Sequence, residues 1–258
     1  MNMLLKDKIA IVTGATQGIG RAVANIFSEN GAIVILCSRN ETRAKLVAEE
    51  IEKSTGNKTL AFGVDVSKKD EIDAAVDKVV NIFGRIDILV NNAGIQEYMP
   101  FLEMDESFWE RHFDTNVKGT FLFSQAVAKM MIKKGGCKII NLSSDSGVAP
   151  VPAKNAAAYC ASKSAIIGLT RAIAKEMGEY KIYCNAICPG AIIDTGMFEN
   201  YRKAFGKKRV AEDIELTALK RLGYSEDIAD VVLFFASDLS RHVTGEHLLV
   251  TGGDIMTQ

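Results

Sequence analysis

The chain has 258 residues, 48% of them hydrophobic and 24% charged, with a formal net charge of −1. That is the balance of a soluble globular protein, and it excludes a general attraction to nucleic acid or to an anionic membrane. No apolar run approaches the roughly 18 residues of a membrane span, and charges break the N-terminal MNMLLKDKIAIVTG too early for a signal peptide.

The length suits one α/β domain over 1–258. Five cysteines (Cys37, Cys137, Cys160, Cys184 and Cys188) show no CxxC spacing, and His112, His242 and His247 are scattered. Buried free thiols of a cytoplasmic protein are expected, with no metal.

IAIVTG (9–14) reads as a buried strand, and TGATQGIG (13–20) as a glycine turn that opens a helix over 18–30. Gly14, Gly18 and Gly20 let the backbone approach a pyrophosphate closely, while the helix N-terminus faces it. AIVILC (32–37) is the second strand and ends in CSRN. An NAD-selective fold places Asp or Glu there to hold the ribose 2′-hydroxyl. Ser38 and Arg39 stand in that place. A guanidinium can hold a 2′-phosphate through charge-assisted hydrogen bonds, so NADP(H) is expected, with NAD(H) still usable.

A helix over 41–54, the strand TLAFGVDV (59–66), a helix over 68–83 and the strand IDILVNN (86–92) follow. Beyond these come a helix over 105–133, the strand CKIINLSS (137–144), a helix over 156–178 and the strand IYCNAICPG (182–190). The segment 194–221 is polar and basic and reads either as a binding lid or as a solvated surface helix pair. HLLVTGG (247–253) is the last strand. Apolar strands alternating with helices imply right-handed crossovers. The expected fold is therefore a Rossmann-like, doubly wound parallel sheet of about seven strands in three αβα layers.

With these motifs in order, nearly the whole chain resembles the short-chain dehydrogenase/reductase family. TGATQGIG, with Thr16, Gln17 and Ile19 among its glycines, is similar to the family's cofactor turn. VDV, with Asp65 and Val66, resembles its adenine-contacting stretch, and NNAG, with Asn92, Ala93 and Gly94, its signature after the fourth strand. Asn116 in TNVKG, Ser144 in NLSSDSG, and Tyr159 with Lys163 in YCASK match its catalytic tetrad. Pro189 and Gly190, through Ile192 to Thr195, resemble the segment that grips the nicotinamide carboxamide. Ser144 and Tyr159 lie 15 apart, two more than is common in the family, and Ser146 sits at the usual spacing. Ser144 is preferred because it ends a strand, and Ser146 remains the rival.

Positions i and i+4 of a helix share a face, so Tyr159 and Lys163 point at one site. Alcohol oxidation needs a base and ketone reduction an acid, and a free phenol of pKa about 10 is a weak base near neutrality. A neighbouring ammonium and the positive nicotinamide favour the phenolate, so a lowered pKa is expected. The resemblance implies that Lys163 also holds the nicotinamide ribose, that Ser144 bonds the substrate oxygen, and that Asn116 keeps a water beside the lysine.

The reading is an oxidoreductase interconverting a secondary alcohol and a ketone. The expected substrate is a small hydroxyketone, sugar or polyol, contacted by Ser144, Ser146 and Tyr159. A 3-oxoacyl thioester reductase is the runner-up, and a non-catalytic nucleotide-binding regulator or a lyase-like relative comes behind. Substrate determinants are expected in 96–101, 145–155 and 194–221. The resemblance implies a homotetramer, with a dimer next, built on the helices over 105–133 and 156–178.

Overall fold

The computed structural model describes residues 3–132, 134–148 and 154–255. Residues 149–153, inside the expected substrate loop 145–155, therefore lie outside the described residues. In chain order the first half runs β1 (Ile9–Thr13), α1 (Gly18–Glu29), β2 (Ile33–Ser38), α2 (Glu41–Thr55), β3 (Thr59–Gly63), α3 (Lys69–Phe83) and β4 (Ile88–Asn91). Next come α4 (Glu106–His112), α5 (Gly119–Met131), β5 (Cys137–Leu142), α6 (Ala157–Met177) and β6 (Ile182–Pro189). The chain closes with α7 (Gly196–Leu216), α8 (Ser225–Ala236) and β7 (His247–Val250). The strands form one parallel sheet of seven in the order β3-β2-β1-β4-β5-β6-β7. Strand order reverses between β1 and β4, the switch point at which such sheets open a crevice at their carboxyl ends.

Both faces are covered, which explains why the strands read as unbroken apolar runs. Ala10 and Val12 of β1 face a core shared with Val23 and Phe27 of α1 and Ile228 and Val232 of α8. Ile9 and Ile11 face the opposite core, with Val76 of α3 and Phe123 and Val127 of α5. Asn40 caps α2 by accepting from the Arg43 N–H at 2.9 Å, and Gly56, at φ 74°, ends it in the left-handed region.

Two segments differ from expectation, and a third takes one of its two readings. The helix expected over 105–133 is interrupted by a π-helical turn, Phe113–Lys118, which carries Asn116 inward. Such turns widen the helix locally and are frequent at functional sites. The segment 194–221, read as a lid or a helix pair, is mostly α7, a helix pair broken where Gly206 takes φ 79° and ψ 170°. Helix α8 has no counterpart in the sequence reading. Its apolar stripe of Ile228, Ala229, Val232 and Phe235 and the Asp227 carboxylate on the Tyr224 N–H (2.8 Å) were its signals.

The five cysteines are free, and all but Cys160 are buried. His112 is a framework residue: its Nε2 accepts from the Glu97 N–H at 3.3 Å and its Nδ1 lies 2.9 Å from the Phe108 carbonyl. Among the described residues no helix is long and apolar enough to cross a membrane.

Candidate active site

A cleft of about 910 Å³ crosses the carboxyl edge of the sheet. Of the residues singled out from sequence, all but the buried Asn116 border it. Its floor is the turn after β1. Gly14 and Gly18 adopt φ 65° and 51°, and a Cβ at Gly20 would fall 2.4 Å from both the Gly14 carbonyl oxygen and Asn92 Nδ2. Asn92 latches this turn to β4: its Nδ2 donates to the carbonyls of Thr13 (2.9 Å) and Gly14 (3.1 Å). The Asn92 and Ala93 N–H groups both donate to Thr13 Oγ1 at 3.0 Å. Gln17 makes no side-chain cap at the start of α1, so the first N–H groups there are left for an anion. No carboxylate occupies the first turn. Cradle and open helix end together fit a dinucleotide pyrophosphate.

Where β2 ends, Ser38 Oγ accepts from the Asn40 N–H at 3.3 Å. Arg39 is exposed and makes no ion pair among the described residues. Asp65 accepts from the N–H (2.9 Å) and hydroxyl (2.8 Å) of Ser67. Burial pushes its carboxyl up, but those bonds and the Arg39 charge together hold it below its ordinary value. Val66 packs against Gly119 so closely that a Cβ there would meet its side chain at 2.9 Å.

The opposite end gathers the reactive groups. Asn116 Oδ1 accepts from the Ile95 N–H (2.8 Å), and its Nδ2 donates to the Ile95 carbonyl (3.1 Å) and to Ser162 Oγ (2.9 Å). A Cβ on Gly94 would lie 3.1 Å from Asn116 Oδ1 and 3.5 Å from Lys163 Nζ, so amide and ammonium converge there. Lys163 Nζ donates to the Leu142 carbonyl at 2.8 Å and stands 5.6 Å from the Tyr159 ring centre. Ser144 and Tyr159 border the same cleft. Ser144 Oγ donates to Asp145 Oδ1 at 2.7 Å. Ser146 turns to that same carboxylate, through its N–H (2.5 Å) and its hydroxyl (3.2 Å). Both rival serines border the cleft and share the Asp145 carboxylate.

The electrostatics correct one expectation. Burial drives the Tyr159 phenol above its ordinary value, opposed by the Ser144 hydroxyl, and Lys163 does not reverse it. Burial also pushes the Lys163 ammonium down to about 8. Burial is the leading cause at both groups, which sequence spacing alone cannot show.

The far wall comes from β6 onward. Gly190 N–H donates to the Val250 carbonyl at 3.1 Å, and Ile192 pairs with Gly223 in a short parallel bridge. Thr195 caps α7: its hydroxyl accepts from the Phe198 N–H (3.2 Å) and donates to the Ile192 carbonyl (2.8 Å). Its methyl would lie 3.1 Å from a Cβ on Gly18, so this cap also walls the cofactor turn.

Several residues at the substrate end were not singled out from sequence. Phe205 packs edge-on to Tyr98, with centroids 5.0 Å apart, and against Tyr201 at 4.9 Å. Two of the cations here are matched: Arg209 bonds Asp213 (2.9 Å) and Tyr201 (3.3 Å), and Arg221 grips Asp227 with two nitrogens (2.7 and 2.8 Å), whereas Lys154 makes no ion pair among the described residues. Asp145 and Asp254 make no ion pair among the described residues.

A family model described as enoyl-(acyl carrier protein) reductase matches residues 14–254. An NAD-dependent glycerol dehydrogenase of Listeria innocua is 39% identical over 250 residues, covering 96% of this chain and 94% of its own. A 3-oxoacyl-[acyl-carrier-protein] reductase of Chlamydia muridarum is 39% identical over 253 residues, covering 98% and 99%. Among solved structures, a 7α-hydroxysteroid dehydrogenase in complex with NADH and 7-oxo glycochenodeoxycholic acid superposes with a TM-score of 0.91 at 34% identity, covering 99% and 97%. The chain belongs to the short-chain dehydrogenase/reductase family. As a member, it is an oxidoreductase on a Rossmann-like sheet that works with a nicotinamide dinucleotide. The glycine turn, Ser144, Tyr159 and Lys163 all border one cleft.

Proposed function

We propose that the protein interconverts a secondary alcohol and a ketone, with NADP(H) preferred over NAD(H), on a small hydroxyketone, sugar or polyol. One observation carries this: Ser144 and Tyr159, with Lys163 one helical turn on, border the cleft that begins at the glycine turn. A bound nicotinamide supplies the hydride, or accepts it. Tyr159 is the proton donor in reduction, and burial keeps its phenol loaded. Ser144 Oγ stabilises charge on the substrate oxygen. Lys163, anchored on the Leu142 carbonyl, holds its positive charge beside the tyrosine and positions the cofactor ribose. Asn116 fixes the Ile95 backbone and stands next to the lysine as a brace for the proton path.

Ser38 and Arg39 favour the 2′-phosphate, although the glycerol dehydrogenase relative is named for NAD. The matched arginines and unpaired carboxylates at the substrate end favour a neutral, hydroxylated molecule. The alternative is a 3-oxoacyl thioester, the substrate in the name of the Chlamydia relative. The whole chain acts as one domain, and its free thiols suit the cytoplasm. A homotetramer fits an apolar groove on α5 and α6, lined by Phe113, Val117, Phe121 and Leu169, with Phe121 42% exposed. A monomeric mass by light scattering at micromolar concentration would reject assembly.

The decisive experiment is Tyr159→Phe against a panel of polyols, diketones and 3-oxoacyl thioesters. Cofactor binding should persist while turnover falls by about 10²–10⁴-fold. Turnover within a few-fold of the unsubstituted protein sinks the acid–base role. Turnover of thioesters alone sinks the substrate class. Ser144→Ala should damage more than Ser146→Ala.

A further inference from the structure

Asp145 is a carboxylate placed directly after Ser144 at the end of the cleft where the tyrosine stands, and the alcohol–ketone reading above gives it no role. Its Oδ1 is saturated by Ser144 Oγ (2.7 Å), the Ser146 N–H (2.5 Å) and Ser146 Oγ (3.2 Å). Its Oδ2 has no hydrogen-bond partner among the described residues, and no cation pairs with it there. An ionised carboxylate only accepts hydrogen bonds, so the free oxygen calls for a donor.

A second observation is independent of it. The Tyr98 hydroxyl is buried and unpartnered among the described residues. It lies near enough to Tyr159 and Asp145 for their charges to act on it. Tyr98 packs against Phe205, which borders the cleft, and an orphaned buried polar group at such an edge calls for an explanation.

We propose that Asp145 recognises a hydroxyl on the carbon adjacent to the reacting one, which makes vicinal diols and α-hydroxyketones the preferred substrates. This rests on the alcohol–ketone reading above. A vicinal diol carries its two oxygens at hydrogen-bonding separation. One oxygen meets Ser144 and Tyr159 while its neighbour donates to the open Oδ2 of Asp145, whose Oδ1 keeps its bonds to Ser144 and Ser146. A substrate with a methylene at that position leaves the carboxylate desolvated and unmet, which is the costly case.

The test compares acetoin with 2-butanone, which share a four-carbon skeleton, in reduction by the unsubstituted protein, Asp145→Asn and Asp145→Ala. The unsubstituted protein should favour acetoin in kcat/KM by at least roughly tenfold, and both variants should narrow that ratio by roughly ten- to a hundredfold. An unsubstituted ratio near one overturns the proposal without any variant. So does an equal fall on both ketones, which would make Asp145 a support for Ser144 only. If acetoacetyl thioester is reduced and neither ketone is, the substrate reading fails and the proposal falls with it. A ratio that stays high in both variants overturns the proposal alone.

Discussion

Replacing Asn116 with alanine tests whether the brace in the π-helical turn holds the site together. The substitution removes three hydrogen bonds, at 2.8, 3.1 and 2.9 Å, and strands the N–H and carbonyl of Ile95. An unsatisfied buried polar group costs about 1–3 kcal/mol. Ile95 is half-buried, so water can reach part of what is exposed. The expected loss is about 3–4 kcal/mol, a large share of the roughly 5–15 kcal/mol that holds a domain folded. For a chain of this length that is a melting shift of about 6–10 °C. Urea unfolding of the cofactor-free protein measures it directly, and a fall in midpoint at constant slope is the expected signature. Cofactor affinity should weaken too, because the strand of chain from Gly94 to Ile95 borders the cleft. A loss below about 1 kcal/mol would show that the three bonds are replaced by water and that Asn116 braces nothing.

Arg39→Ala should weaken NADPH by roughly ten- to a hundredfold and leave NADH nearly untouched, because the exposed guanidinium makes no ion pair among the described residues. Ser38→Asp should reverse the preference, and calorimetry with both cofactors checks the pair. Equal weakening of the two would show that Arg39 points elsewhere. Reduction should be level below pH 8 and decline above it, because the Lys163 ammonium, pushed down to about 8 by burial, is lost there while Tyr159 stays protonated. Oxidation, which needs the phenolate as base, should not rise over the same range, because burial keeps Tyr159 protonated. A reductive profile flat to pH 10 would refute a charged lysine in the step.

The sheet was legible because β1, β4 and β5 are buried at every residue and leave no polar alternation to confuse them with surface strands. The glycine turn, Tyr159 and Lys163 were legible because backbone space and helical spacing are local properties. Helix α8 was not, since VVLFFA taken alone resembles a strand. Packing against α1 decides its state. The π-helical turn has no compositional signal. Burial of Tyr159 depends on residues far away in the chain, so its direction of shift could not be read from a neighbouring lysine. Phe198, Tyr201 and Phe205 had a usable signal in their i, i+3, i+7 spacing, masked by the lysines and arginines between them.

The latch that Asn92 and Ala93 make to the first turn joins residues 78 to 80 apart, and the far wall of the same cleft is Thr251 to Ile255. The cleft is therefore walled by segments far apart in the chain, and it is incomplete until β7 has joined the sheet. At a hundredfold excess over Kd, cofactor adds about 2.7 kcal/mol to the assembled domain alone, so binding rewards the finished sheet over any partly paired form.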